Sequence, residues 1–134
     1  MKRIIIAYDS RTGNVDRFIK KMKNKLKDRA TAGFQWEFYK IEEGMVLEED
    51  FHFITFTTNF GEVPLKTKIF VEKNYEKMQS VSSSGNMNWG TMYGRAANRI
   101  RKDYDIPILM KFELSGTSQD VEKIIGGLEE YYGD

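Results

Sequence analysis

The segment Ile4-Ile5-Ile6-Ala7-Tyr8 is apolar without alternation, and it breaks after five residues into Asp9-Ser10-Arg11-Thr12-Gly13-Asn14. A short β-branched run of this kind suits a strand covered on both faces, since a half-exposed strand would carry polar side chains at every second position. Beyond the turn the period changes. Val15, Phe18, Ile19, Met22 and Leu26 recur at helical spacing, with Lys20, Lys21, Lys23 and Lys25 on the opposite, wet side. That lysine face, with Lys27, reads as solvated helix surface rather than a docking patch. A doubly covered strand running straight into an amphipathic helix restricts the fold sharply. Parallel strands joined by crossover helices are the usual way to bury both faces.

The rest of the chain repeats the pattern. Phe34 to Ile41 alternates loosely and reads as a half-exposed strand near a sheet edge, followed by an acidic connection from Glu42 to Asp50. Phe51 to Thr57 is a second buried strand, and Pro64 suits the first turn of a helix reaching about Tyr75. Met78 to Ser84 has only Val81 as a β-branched aliphatic residue. On its own it reads as a Ser-rich loop, and only the alternation counts it as a weak strand. Met92, Tyr93, Ala96, Ala97, Ile100 and Tyr104 form an amphipathic helix, and Ile106 to Leu114 is a strong strand with Pro107 at its start. Thr117-Ser118-Gln119-Asp120 has the form of a capping box with Asp in place of Glu. It opens a helix whose Val121, Ile124, Ile125 and Leu128 face inward, although Gly126-Gly127 weakens it by ~1 kcal/mol per glycine. The order is strand, helix, strand, strand, helix, weak strand, helix, strand, helix. It predicts an α/β, doubly wound parallel sheet with helices on both faces, forming one domain over residues 1–134.

Composition removes several function classes. The 134 residues include no cysteine, which excludes thiol nucleophiles, disulfides, iron–sulfur clusters and thiolate zinc sites. The single histidine, His52, stands between Phe51 and Phe53 and reads as a polar residue at the start of a strand. Lys and Arg number 21 against 20 for Asp and Glu, without the basic excess of a general nucleic-acid binder. No apolar segment approaches the ~20 residues needed to span a bilayer. Tyr8-Asp9-Ser10-Arg11 interrupts the first apolar run too early for a secretory h-region, so the cytoplasm is the expected location.

In a doubly wound sheet, ligands bind beyond the carboxyl ends of the strands. Three polar loops fall there: Ser10 to Asn14, Thr57 to Pro64, and Ser82 to Gly90. The first supplies Ser10, Thr12 and Asn14 as donors and Gly13 for close backbone approach. It opens into a helix N-terminus, so it can hold a terminal phosphate without any lysine. It is neither a Walker A loop nor the G-x-G-x-x-G fingerprint. The plainer alternative is an ordinary cap in which Thr12 or Asn14 satisfies helix donors. Thr57-Thr58-Asn59-Phe60-Gly61 can present backbone groups to a planar heterocycle, with Gly61 free to take positive φ. Gly85-Asn86-Met87-Asn88-Trp89-Gly90 places an indole where it can stack on the same ring. The three loops together describe a site for a phosphorylated aromatic cofactor.

Ser10-Arg11-Thr12-Gly13-Asn14-Val15 resembles the phosphate loop of flavodoxin-like FMN proteins. More specifically, Tyr8-Asp9-Ser10 with Thr12-Gly13-Asn14-Val15 and Arg17-Phe18 is similar to the NrdI family. So are Thr57-Thr58-Asn59-Phe60-Gly61 with Val63-Pro64, Ser84-Gly85-Asn86 with Trp89-Gly90, and Lys111-Phe112-Glu113-Leu114-Ser115-Gly116-Thr117. The likeness covers nearly the whole chain, with one departure: Lys23 to Tyr39 is longer than is usual for the family. It implies a flavodoxin-like five-stranded parallel sheet of order 2-1-3-4-5. It also implies FMN, with its phosphate on Ser10, Thr12, Gly13, Asn14 and Val15 beside Arg11. The ring would lie between the Thr57 to Gly61 loop and Trp89, near Ser84, Gly85, Asn86 and Gly90. A backbone carbonyl near Asn59 to Gly61 is implied to accept a flavin N–H through a peptide flip. The family's role implies that the reduced flavin reacts with dioxygen. Superoxide would then serve dimanganese–tyrosyl radical assembly in NrdF, the small subunit of class Ib ribonucleotide reductase. With no NAD(P)H fingerprint in the chain, an external flavin reductase or similar donor is implied.

Three rivals remain at this stage. A general electron-carrying flavodoxin would surround the ring with carboxylates, each worth about 2 kcal/mol at ~8 Å and an effective dielectric of ~20. Here the three loops carry only Glu62 as acid and Arg11 as base. A phosphoacceptor receiver module would use Asp9 and Lys111, but Thr57, Thr58 and Asn59 stand where its acceptor Asp belongs. A flavin-free interaction domain would be colourless. Asp9 is expected to orient loop amides rather than transfer protons, and Met87 and Asn88 are the positions expected to meet a partner or gate dioxygen.

Overall fold

Alternate residues of the first strand, β1 (Lys2–Tyr8), serve two different cores. Ile4 and Ile6 pack with Val15, Phe18, Phe112 and Leu128, whereas Ile5 and Ala7 pack with Phe53, Phe70, Val81 and Ile100. All four β1 side chains are buried, as a strand covered on both faces requires. The computed structural model describes residues 2–27, 33–57, 63–86 and 93–133. Within them the chain order is β1, α1 (Asn14–Lys27), β2 (Phe34–Lys40), β3 (Phe51–Phe56), α2 (Leu65–Asn74), β4 (Met78–Gly85), α3 (Arg95–Tyr104), β5 (Ile108–Glu113) and α4 (Ser118–Tyr132). A single 3-10 turn, Tyr75–Lys77, links α2 to β4.

The strands form one parallel sheet of order β2-β1-β3-β4-β5. Helices α1 and α4 cover one face and α2 and α3 the other. A stacked pair, Phe18 on α1 and Phe112 on β5 with centroids 4.0 Å apart, anchors the first core. The α4 capping box forms in both directions, Thr117 Oγ1 accepting from Asp120 N–H and Asp120 Oδ2 from Thr117 N–H.

Met78 to Gly85 is a full strand, hydrogen-bonded to β3 and β5, as the alternation of elements predicts and against the loop that its serines suggest in isolation. Two of its buried serines have side-chain partners supplied by the fold. Ser83 Oγ donates to Gly94 C=O at 2.6 Å and accepts from Ala97 N–H at 3.3 Å, and Ser80 Oγ bonds His52. Small side chains also let α3 approach the sheet closely, since a Cβ on Gly85 would lie 2.7 Å from the Gly94 nitrogen.

At the margin, β2 is half-exposed, as its alternation predicts. Arg3 forks onto Glu37 through Nε (2.5 Å) and Nη2 (2.8 Å) and also pairs with Glu49. These Arg3 bonds, with a further one from Tyr39, pull the Glu37 carboxyl down to about 2.

Candidate functional site

The site is built outward from the end of β1. Asp9 N–H bonds Ile54 C=O at 3.0 Å, carrying the sheet one residue past the strand, after which the chain turns through Gly13 at φ +91°. Arg17 N–H closes the first helical bond onto Gly13 C=O at 3.0 Å. The helix donor at Asp16 N–H goes to Ser10 Oγ at 3.2 Å, so Ser10 takes the capping role, not Thr12 or Asn14. Asn14 is the first residue of α1, and its Oδ1 is committed elsewhere. The backbone N–H groups from Arg11 through Val15 have no acceptor among the described residues. Arg11 and Thr12 are exposed, Gly13 and Asn14 half-buried, and Val15 keeps its side chain in the core.

No carboxylate competes for those donors among the described residues. Asp16 is turned to Lys40 at 3.1 Å. Asp9, 3% exposed, accepts from Thr67 Oγ1 of α2 at 2.6 Å. Asp9 therefore ties β1 to α2, where the sequence reading had it orienting loop amides.

The turn after β5 reaches the same place. Arg17 Nε donates to Ser115 Oγ at 2.9 Å and Nη2 to Asn14 Oδ1 at 2.6 Å, while Ser115 Oγ donates to the same Oδ1 at 2.9 Å. Lys21 Nζ donates to Ser115 C=O (3.3 Å) and Gly116 C=O (2.8 Å). Gly116 has φ +72°, and a Cβ there would lie 2.5 Å from the Phe18 ring. One face of α1 thus grips this turn. The lysine face is only partly solvated, since Lys21 serves the turn, Lys25 pairs with Glu122 and Lys23 lies 5.3 Å from the Phe38 ring centroid. Sequence reasoning missed Arg17 and Ser115 as site residues. The spacing of Arg17 three residues after Asn14 was the available signal.

Thr57 and Ser84 are buried where β3 and β4 end. Thr57 N–H bonds Ser84 C=O at 3.0 Å, and Thr57 Oγ1 accepts from Ala96 N–H at 3.2 Å at the start of α3. Gly85 is buried against Gly94, and Asn86 is half-buried at the strand's exit. Thr58, Asn59, Phe60, Gly61 and Glu62, and likewise Met87, Asn88, Trp89 and Gly90, lie outside the described residues.

Lys111 donates to Tyr93 C=O at 3.3 Å and to Asn98 Oδ1, and burial lowers its pKa. His52 sits at the opposite end of the sheet, where Nδ1 meets Ser80 Oγ at 2.7 Å and Nε2 meets Tyr132 Oη at 2.8 Å. Burial pulls it down to about 4. It is a closed structural histidine, more deeply buried than a residue merely starting a strand. Among the described residues no group of His, Cys, Asp or Glu side chains could hold a metal ion. No helix among them is long and apolar enough to cross a membrane.

The parallel sheet of order 2-1-3-4-5, with a glycine loop opening into α1, defines a flavodoxin-like protein. Oxidised flavodoxin 2 from Bacillus cereus shares this fold at TM-score 0.69 and 21% identity, over 98% of this chain and all of that one. Residues 6–126 match the family described as NrdI flavodoxin-like, and the chain belongs to that family. Protein NrdI of Bacillus licheniformis is 45% identical over 119 residues, 89% of this chain and 82% of the relative. The SPbeta prophage-derived protein NrdI of Bacillus subtilis is 41% identical over 120 residues, 90% of this chain and 87% of the relative. Fold and family together imply a flavin cofactor.

Proposed function

We propose that the protein binds FMN at the carboxyl edge of its sheet and works with class Ib ribonucleotide reductase as the activating partner of the small subunit NrdF. The observation that carries the binding half is the row of N–H groups from Arg11 to Val15, which meet neither an acceptor nor a facing carboxylate among the described residues. A phosphate monoester needs such donors at a helix N-terminus. Ser10, Thr12, Gly13, Asn14 and Val15 would hold the phosphate, with Arg11 exposed beside them. Thr57, Thr58, Asn59, Phe60 and Gly61, with Ser84, Gly85, Asn86, Trp89 and Gly90, would hold the ring.

When bound, FMN supplies the redox chemistry, the reduction of dioxygen to superoxide for dimanganese–tyrosyl radical assembly in NrdF. The protein's own work is to bind and orient. Thr57 Oγ1 secures the start of α3, Asp9 secures α2 through Thr67, and these two helices follow the loops assigned to the ring. Electrons would come from an external flavin reductase in the cytoplasm.

Two measurements test the reading. Titrating the purified protein with FMN should quench flavin fluorescence at one equivalent, and absence of binding would refute it. Incubation with manganese-loaded NrdF, a flavin reductant and dioxygen should generate the tyrosyl radical, and a superoxide scavenger should suppress it. FMN binding without radical formation would leave a general electron carrier.

A further inference from the structure

Asn14, Arg17 and Ser115 form a closed ring of side-chain hydrogen bonds across 98 to 101 residues of sequence. The ring has two consequences for anything bound at the β1–α1 loop. Two donors on Asn14 Oδ1 fix the rotation of that amide, so its NH2 group faces away from Arg17 and Ser115. The Arg17 guanidinium is also held against the loop backbone, with Nη1 2.8 Å from where a Gly13 Cβ would stand.

Both anchors of Arg17 are neutral, and no carboxylate lies within ion-pair distance of it among the described residues. Holding an exposed arginine in one rotamer costs side-chain entropy. The result is a full positive charge fixed beside the N–H row from Arg11 to Val15, with no counter-charge in ion-pair distance among the described residues. The planar guanidinium suits this, since it keeps its charge and its fork geometry together.

We propose that Arg17 is the residue that sets selectivity for a phosphorylated ligand over the same ring without its phosphate. Ser115 is its positioning residue. The proposal rests on the FMN reading and deepens it.

The test titrates apo-protein with FMN and with riboflavin, using wild type, Arg17→Gln, Arg17→Lys and Ser115→Ala. Glutamine removes the charge while keeping a side chain able to bond Asn14 and Ser115. Arg17→Gln should weaken FMN binding by roughly tenfold to a hundredfold, the range for a charge-assisted hydrogen bond, and leave riboflavin unchanged. Arg17→Lys should recover part of the loss, and Ser115→Ala should lose part of the selectivity while keeping the charge. Inorganic phosphate should compete with FMN more weakly in Arg17→Gln. Equal losses for both flavins, or an unchanged ratio in Arg17→Gln, would overturn the proposal. Failure of the wild type to bind FMN would instead overturn the reading beneath it. Thermal unfolding of each apo variant reports folding; if Arg17→Gln does not fold, the FMN-to-riboflavin ratio of Ser115→Ala decides, lowered in support and unchanged against.

Discussion

At the amino end of the sheet, His52 is 1% exposed and both its ring nitrogens are engaged, by Ser80 and by Tyr132. At the carboxyl end, the N–H groups from Arg11 to Val15 lack acceptors among the described residues. Both clusters are polar, and they differ in who completes them. A buried polar group left unpaired costs about 1–3 kcal/mol, so the fold closes the first cluster with its own side chains. The second lies at a solvent-facing helix start, where water can serve the donors. The sequence already sets the histidine aside as a strand residue, and its two closed hydrogen bonds agree.

The contrast breaks most visibly if the closed end is opened. His52→Ala removes two hydrogen bonds and the edge contacts with the Tyr131 and Tyr132 rings. It should lower stability in urea by roughly 3–4 kcal/mol. FMN affinity should stay unchanged, and a parallel fall would show that the two ends are coupled.

Acid probes the same cluster without a mutation. Burial holds the folded-state His52 at about 4, below its ordinary 6.5, so the fold favours neutral imidazole. This contribution is complete above about pH 6.5 and is lost as pH falls toward 4, amounting to about 3 kcal/mol at the bottom. Unfolding midpoints at pH 7 and pH 4.5 should differ more in wild type than in His52→Gln. Equal differences would remove His52 as the source.

At the open end, Gly116→Ala should cost about 2 kcal/mol, because its φ is positive and a Cβ would strike the Phe18 ring. FMN affinity should fall too, since the same turn carries Ser115; a stability loss with unchanged affinity would separate the turn from the site. Ser10→Ala is the mildest change, about 1 kcal/mol from losing the bond to Asp16 N–H. It sharpens the comparison only if FMN weakens along with the small destabilisation.

The sequence made the sheet legible wherever burial was achieved with apolar side chains. Ile4 to Tyr8 and Phe51 to Phe56 announce themselves, and α1 and α4 follow from their periods. β4 was legible only through the alternation of elements, because serine reads as loop until its hydroxyl partners are known, and Gly94, Ala97 and His52 lie outside the segment. α2 carries little periodicity since two of its buried positions are Thr67 and Asn74. Asn74 earns burial through bonds to Leu47 N–H, Met45 C=O and Phe70 C=O. The β1–α1 loop was visible as a local string of residues. The Arg17–Ser115 contact was not, because nothing local in either segment specifies the other.

The margin of the sheet at β2 bears on how copies of the protein behave toward each other. An open strand edge is a template on which a second chain can add, the first step of aggregation. A net charge of +1 gives little long-range repulsion to prevent it in concentrated solution. Arg3, Glu37, Tyr39 and Glu49 place a hydrated, internally paired charge cluster along that margin, with Gln35 and Lys40 exposed beside it. A strand docking there would have to strip their water. On this edge, protection against strand addition therefore rests on a few local side chains rather than on net charge.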